Sequence, residues 1–482
     1  MNLTRILLYS LILLLFASGS LFAQTDALRQ IGVSVPELLG VAFIFVMLLA
    51  FIFARPVYGL ILVICYYPFI TGSAELGLSQ IIAGMFIVLF SLLWLQKRIA
   101  WKKLGKVPEN YLKVNTFFLL FALYIGFNSL TSLIRGIPAI DIIRDLAPWS
   151  GLSMFLFMET FVKKEKSIEL LFKVQIAVML MIAVYVFSWY FPVFRVIFRF
   201  VRLDISFLGI LVILLTGIAG LVFKLMPKWL SILFCAVSGT FFILTPTRTA
   251  FITALFSIVL MITLTIKKRK GIIMVVLVAV FAYVMNSLAN EYMSTALEKR
   301  EAKFDEIISQ KGDPSVKSRL DEISHAWRLF LSSPIAGIGV GHRYRLWRHW
   351  VSELKGPGIY YSNFIHSDFM NFLAKLGLIG TSIYLVFYYK IMRIAWKIWT
   401  KAPTERLKAQ GLIGWLLLVA ALIGGQSTPI IQTRLDCLFL GFVMGHIYCT
   451  YRLMNSKGKT TVRSVKNYPV NYAWYKQNEL AG

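Results

Sequence analysis

Cysteine is nearly missing from this chain. The four in 482 residues, Cys65, Cys235, Cys437 and Cys449, all fall inside hydrophobic stretches. No metal-ligand spacing links them, which excludes a disulfide framework and a structural zinc site. Acidic side chains are also scarce, 23 against 50 basic ones, and nothing resembles an Asp-rich metal site. Walker-type loops are missing; the nearest pattern, Gly337-Ile338-Gly339-Val340-Gly341, reads as a tight turn. No pattern asks for a cofactor. Only five histidines, at 325, 342, 349, 366 and 446, are on hand to move protons near neutral pH.

What the chain has instead is apolar length. It is 58% hydrophobic, with a mean hydropathy of +0.73. A bilayer core is crossed by about 20 mostly apolar helical residues, and backbone groups in lipid must be satisfied within the segment. Such stretches recur near 4–22, 38–54, 57–70, 78–96, 112–131, 146–162, 168–190, 205–224, 229–245, 249–266, 272–288, 370–391, 411–425 and 435–453. The expected fold is therefore an all-α polytopic membrane protein with about fourteen hydrophobic segments. Residues 1–23 read equally as a secretory signal peptide or a first anchor; a signal would leave about thirteen.

The net charge of +27 is a topology signal, not a nucleic-acid footprint. Lys97, Lys102, Lys103, Lys106, Lys163, Lys164, Lys166, Lys224, Lys228, the 267–270 cluster, Lys390, Lys397, Lys401 and Lys408 alternate onto one face. That face is expected to be cytoplasmic, together with the tail 454–482. Short loops of the other face hold Arg29, Arg135, Arg144, Arg195, Arg199, Arg202, Arg248 and Arg434, and no lysine. Some of these arginines are expected to pair with Asp141, Asp145, Asp204 or Asp436, or to snorkel toward headgroups. The bias itself suits phosphate, because guanidinium presents a planar fork where lysine presents a point charge.

Residues 289–369 form one long extracytoplasmic loop. Val316, Leu320, Ile323, Trp327 and Phe330 recur at steps of 4, 3, 4 and 3 and predict an amphipathic helix, ended by Pro334 and Gly337. Met293, Leu297, Phe304 and Ile308 suggest an earlier one; such helices either lie on the membrane surface and roof a cavity between the spans or form a small cap without chemistry. Among the histidines, His446 lies inside the last span and His325 off the apolar stripe. His342 and His349 flank Arg343, Arg345 and Arg348 in a basic, aromatic stretch suited to headgroups or glycan. His366 stands apart, at the end of the loop and the start of a span, where position alone still favours a structural histidine.

Several motifs then come in order: Thr247-Arg248-Thr249-Ala250, Ser318-Arg319, Ser333-Pro334-Ile335-Ala336-Gly337-Ile338-Gly339, His366-Ser367-Asp368-Phe369, and Leu373 through Gly380. This region, roughly 240–390, resembles the signature of the O-antigen ligase and Wzy polymerase superfamily. Ser367 stands where that family often has Asn, and Lys375 where it often has Glu. The resemblance implies a GT-C-like membrane domain over 24–453 that includes the 289–369 loop. It also implies a metal-independent, inverting glycosyltransferase using a polyprenyl-diphosphate-linked glycan, in the bacterial inner membrane with its site facing the periplasm. By the same resemblance His366 is the general base, and Arg248 and Arg319 hold the diphosphate. Arg202 is a weaker candidate for that charge. The acceptor stays open: lipid A-core for a ligase, glycan for a polymerase, or protein. A lipid-linked glycan transporter or flippase is the alternative of a different class.

Overall fold

The computed structural model describes residues 54–66, 87, 90–99, 112–188, 206–244, 248–265, 314–348 and 358–466. The chain divides into two compact units, Met1–Tyr66 and Tyr67–Gly482. In the first, helix α1 spans Pro56–Tyr66. In the second, the described helices are α2 (Leu112–Ile134), α3 (Ala139–Trp149), α4 (Met154–Phe161), α5 (Glu165–Ser188), α6 (Phe207–Phe223) and α7 (Lys228–Leu244). After them come α8 (Arg248–Thr265), α9 (Pro314–Ser332), α10 (Asp368–Lys401), α11 (Glu405–Gly424) and α12 (Arg434–Lys466).

Five of these, in α2, α5, α10, α11 and α12, are long and apolar enough to cross a membrane, and shorter apolar helices accompany them. The expected segments near 4–22 and 272–288, most of 38–54 and 78–96, and the helix through Met293 and Ile308 lie outside the described residues.

Two expectations are corrected. The single span expected over 146–162 is α3, a 3-10 turn at Ser150–Ser153, and α4. Pro148 inside α3 has no N–H to continue the helical ladder. Helix α12 runs on to Lys466, into the expected tail. The 289–369 loop is not wholly helical. It contains an antiparallel hairpin of β1 (Tyr344–Arg348) and β2 (Gly358–Ser362), with Tyr344 opposite Ser362 and Arg348 opposite Gly358. Along β1, Tyr344 and Leu346 are buried and Arg345 is exposed, the period of two that a strand imposes.

Aromatic rings fill the seam between α2, α4 and α10. Phe387 packs edge-on against Phe118 and Phe155, both at 5.2 Å between ring centroids. Polar groups gather at one end of the bundle. There Arg452 donates to the carbonyl of Glu159 at 2.8 Å, Lys397 to the Tyr451 hydroxyl at 2.8 Å, and Arg406 pairs with Glu169 at 3.1 Å. This is the lysine-rich end, and residues 366–368 and 424–431 lie at the other end of α10 and α11.

The central feature is a break. An unbroken α10 of 34 residues would be about 51 Å long, well beyond a hydrocarbon core of roughly 30 Å. Gly377 interrupts it with φ 64° and ψ −168°. Phe372 and Tyr384 would be about 18 Å apart along a continuous helix, yet their ring centroids are 4.9 Å apart. The segment 368–376 therefore slants back beside the membrane-length stretch 378–401.

Such a corner strands the last carbonyls of one helix and the first N–H groups of the next. The turn 333–341 answers both. Ile338 and Gly339 donate N–H to the carbonyls of Ala374 (2.9 Å) and Lys375 (3.2 Å), while the carbonyls of Pro334 and Ile335 accept from Leu378 (2.8 Å) and Ile379 (3.3 Å). From α2, the Tyr124 hydroxyl donates to Leu376 O at 2.8 Å, and Asn128 clamps the turn by donating to Ala336 O (2.9 Å) and accepting from Val340 N (2.8 Å). The expected tight turn at 337–341 is thus a two-sided helix cap.

Below the turn, Lys375 is fully buried and ion-paired with Asp145, and it also donates to the Asn363 carbonyl. Asp145 also accepts from Gly341 N at 2.6 Å. Asp141 pairs with Arg144 at 3.1 Å and Arg343 at 2.6 Å. The expectation that Asp141 absorbs an arginine holds; Asp145 is taken by a lysine.

The corner leaves no room for a side chain. A Cβ on Gly377 would strike the Ile335 carbonyl oxygen and lie 2.6 Å from Gly337 N. Gly377→Ala is therefore expected to cost at least about 1–3 kcal/mol from the left-handed backbone alone, with the collision added. A lowered Tm in detergent measures it, and an unchanged Tm would disprove the corner.

The buried pair makes a separate prediction. Lys375→Met strands a buried carboxylate and should cost about 3–5 kcal/mol. Adding Asp145→Asn should recover part of that, since Asn still accepts from Gly341 N without the charge. Equal stability of the single and double variants would show that the charge of Asp145 is not what Lys375 offsets.

Candidate active site

Helix α9 presents Glu322, Ala326 and Phe330 toward the protein, all buried. Of the apolar stripe read from the sequence, Phe330 belongs to the inward side, while Leu320 and Trp327 are 60% and 45% exposed. The inward side packs on Tyr344, Leu346, Ile365 and Ala374, so α9, β1 and the start of α10 form one small core. That core fixes the approach of residues 363–367 to α9.

His366 sits where this approach ends. Its Nδ1 lies 2.9 Å from Glu322 Oε2, and its backbone N–H donates to the same oxygen at 2.9 Å. The Glu322 side chain is 4% exposed and that of His366 31%, so the carboxylate is sealed while the ring keeps an open edge. A carboxylate has no proton to give, so Nδ1 is the donor and Nε2 of the neutral ring is left as an acceptor. Nε2 has no partner among the described residues.

Ser367 is the N-cap of α10, with its hydroxyl accepting from Met370 N at 3.3 Å. Serine does here what asparagine does at N-caps, which accounts for one departure from the family pattern. Asp368 then ties the loop to the turn after α11. Its N–H donates to Gly425 O at 2.7 Å, and its carboxylate accepts from Ile431 N at 3.0 Å.

Arg319 is one helical turn from Glu322 on α9, a rise of about 5 Å. It is partly buried and has no ion-pair partner among the described residues. Arg248 is the first residue of α8. The next residue, Thr249, shares a 2.9 Å hydrogen bond with Ser427, in the same turn that Asp368 holds. Arg248, at the start of α8, and His366, two residues before α10, are thus next to elements fastened to one turn, although 118 residues separate them in the chain. Arg202 lies outside the described residues.

The other histidines divide clearly. His325 and His342 are half-buried against the edges of Tyr344, with ring centroids 6.3 and 6.5 Å away. Burial lowers the pKa of both, helped by Arg328 at His325 and by Lys375 and then His325 at His342. Both are half-buried packing groups, while Arg343 and Arg345 of the same basic stretch are exposed. His349 lies outside the described residues. His446 is buried and packs at a tilt against Phe172, with ring centroids 5.2 Å apart. Among the described residues no group of three or more His, Cys, Asp or Glu is placed to hold a metal ion.

Glu322 is the site residue that sequence reasoning missed. Between Leu320 and Ile323 it reads as an ordinary exposed acid of an amphipathic helix. The one available signal is its spacing of three from Arg319, which puts both on neighbouring turns.

Residues 232–385, about one third of the chain, match the family model described as O-antigen ligase. Arg248, Arg319, Glu322 and His366 all lie inside that match; Arg202 and helices α2 and α3 lie outside it. The resemblance to the O-antigen ligase and Wzy superfamily holds over these residues, in a multi-pass helical membrane protein. No curated protein matches the chain.

Proposed function

We propose that this chain is a membrane glycosyltransferase. It would move a glycan from a polyprenyl-diphosphate carrier to an acceptor hydroxyl, as a ligase or polymerase, on the extracytoplasmic side of a bacterial inner membrane. The observation that carries this reading is the Glu322–His366 pair one turn from Arg319, within the matched region. The lysine-rich bundle end, opposite the site, supports the sidedness.

In this mechanism the acceptor hydroxyl is a poor nucleophile until its proton leaves. His366 Nε2 takes that proton as the hydroxyl oxygen bonds to the anomeric carbon. The bond from that carbon to the carrier oxygen breaks, and its electron pair departs with the diphosphate. Attack and departure on opposite faces invert the anomeric centre. Arg319 and Arg248 stabilise the charge that develops on the diphosphate, and the N-terminus of α8 adds the positive end of a helix dipole. Glu322 is the positioning residue. It holds the proton on Nδ1 and stabilises the imidazolium while it exists, the part a buried carboxylate plays in a hydrolytic triad.

Purified protein incubated with a polyprenyl-diphosphate-linked glycan and candidate acceptors tests the reaction directly. His366→Ala and His366→Gln should lose transfer by about 10²–10⁴-fold while still binding donor. Glu322→Gln should fold, lower kcat and change the pH profile, because the tautomer is no longer held by a charge. A His366→Gln variant with near wild-type turnover would sink the base assignment and favour a lipid-linked glycan transporter.

The arginines are tested by keeping charge and removing the fork. Arg248→Ala and Arg319→Ala should nearly abolish transfer, and the Lys variants should also be impaired. Full activity in both Lys variants would rule out bidentate recognition of phosphate.

A further inference from the structure

Helix α9 has three sides. At about 100° per residue, Leu320, Trp327 and Leu331 fall within an arc of roughly 40°. The protein-facing residues Glu322, Ala326 and Phe330 are centred roughly 120° away, and Lys317, Asp321 and Arg328 fill a polar side between. The apolar arc is open: Leu320 is 60% exposed, Trp327 45% and Leu331 58%. Scattered exposed leucines need no explanation, but this stripe is continuous with something. Just past the end of α9, Ile335 is 64% exposed, and its carbonyl accepts from Ile379 N. Leu378 and Ile379, both exposed, head the membrane-length stretch 378–401. Its outward side continues through Leu385, Val386 and Tyr389. That surface is the one a membrane-spanning helix offers to lipid.

We propose that the Leu320–Trp327–Leu331–Ile335 stripe is a membrane-interface seat, and that its partner is the lipid of the leaflet adjoining the candidate site. An amphipathic helix with an apolar side, a bordering aromatic and flanking cations is the form that lies in the headgroup region. Tryptophan suits that depth because it joins an apolar body to a polar N–H. Lys317 and Arg328, both exposed on the adjoining side, face the headgroups. The consequence is positional. Arg319 and Glu322 share the helix with the stripe, so its seating sets their depth relative to lipid phosphates. The inference rests on the spanning helices and not on the chemistry proposed above.

The test is collision accessibility of spin labels on the full chain in lipid nanodiscs. Labels are placed at Leu331→Cys and Leu320→Cys, with Ser332→Cys as the reference on the polar side. The native chain, carried through the same labelling, supplies the background from its four cysteines. At 331 and 320, the ratio of collisions with oxygen to collisions with a water-soluble nickel chelate should be several-fold higher than at 332. Equal ratios at all three would mean that the stripe faces water. Low collision with both reagents at 331 would mean that protein covers it. Either result overturns the proposal. Should one variant fail to fold, the other decides alone, because both lie on the same arc.

Discussion

A helix broken inside an apolar bundle must find partners for its exposed backbone groups, and that requirement organises this protein. At Gly377 the carbonyls of one segment and the N–H groups of the next would otherwise be orphaned where water is scarce. The turn at 333–341 satisfies both sets, with Tyr124 and Asn128 of α2 closing the remainder. Both glycines are required by contact: a Cβ on Gly337 would strike the Lys375 carbonyl, and one on Gly377 the Ile335 carbonyl. Since the capping turn directly follows α9, satisfying the corner also sets where α9 lies. The Glu322–His366 contact is thus a consequence of backbone accounting done elsewhere.

The buried charges serve the same arrangement. Lys375, the last residue but one before the corner, reaches Asp145 of α3, and Asp145 in turn holds Gly341 N. A fully buried ion pair is weak evidence of net stability, because desolvation offsets much of the attraction. What it supplies is register, because neither charge can be left alone. The departure at this position, lysine where the family often has glutamate, is answered by a carboxylate on α3, outside the matched residues. The asparagine-to-serine departure beside His366 is answered locally, since both residue types cap a helix. Neither touches the Glu322–His366 pair.

Much of this was legible in the sequence, for reasons that are local. Apolar runs announce helices: the described ones at α2, α5, α11 and α12 are of membrane length, and α6, α7 and α8 are shorter apolar helices at the expected places. The positive-φ glycines of the 337–341 turn are likewise a property of a few adjacent residues. The break in α10 is different. Residues 370–391 read as one apolar run, and hydropathy cannot register a change of direction, because both halves of a corner are apolar. The apolar stripe of α9 was legible, but periodicity identifies an apolar side without saying whether protein or lipid meets it.

By itself the sequence determined the class of protein, the number of apolar segments to look for, and the residue types able to do the chemistry. His366, Arg319 and Arg248 are singled out by motifs that resemble the O-antigen ligase and Wzy superfamily, and Arg248 also belongs to the short loops that carry arginine and no lysine. Only the tertiary structure decided what His366 touches. Glu322 lies 44 residues earlier and carries no local mark. Its role exists only because the chain returns past α9 after the hairpin, and because a sealed carboxylate oxygen must find donors. The two nearest it are the N–H and the ring nitrogen of His366.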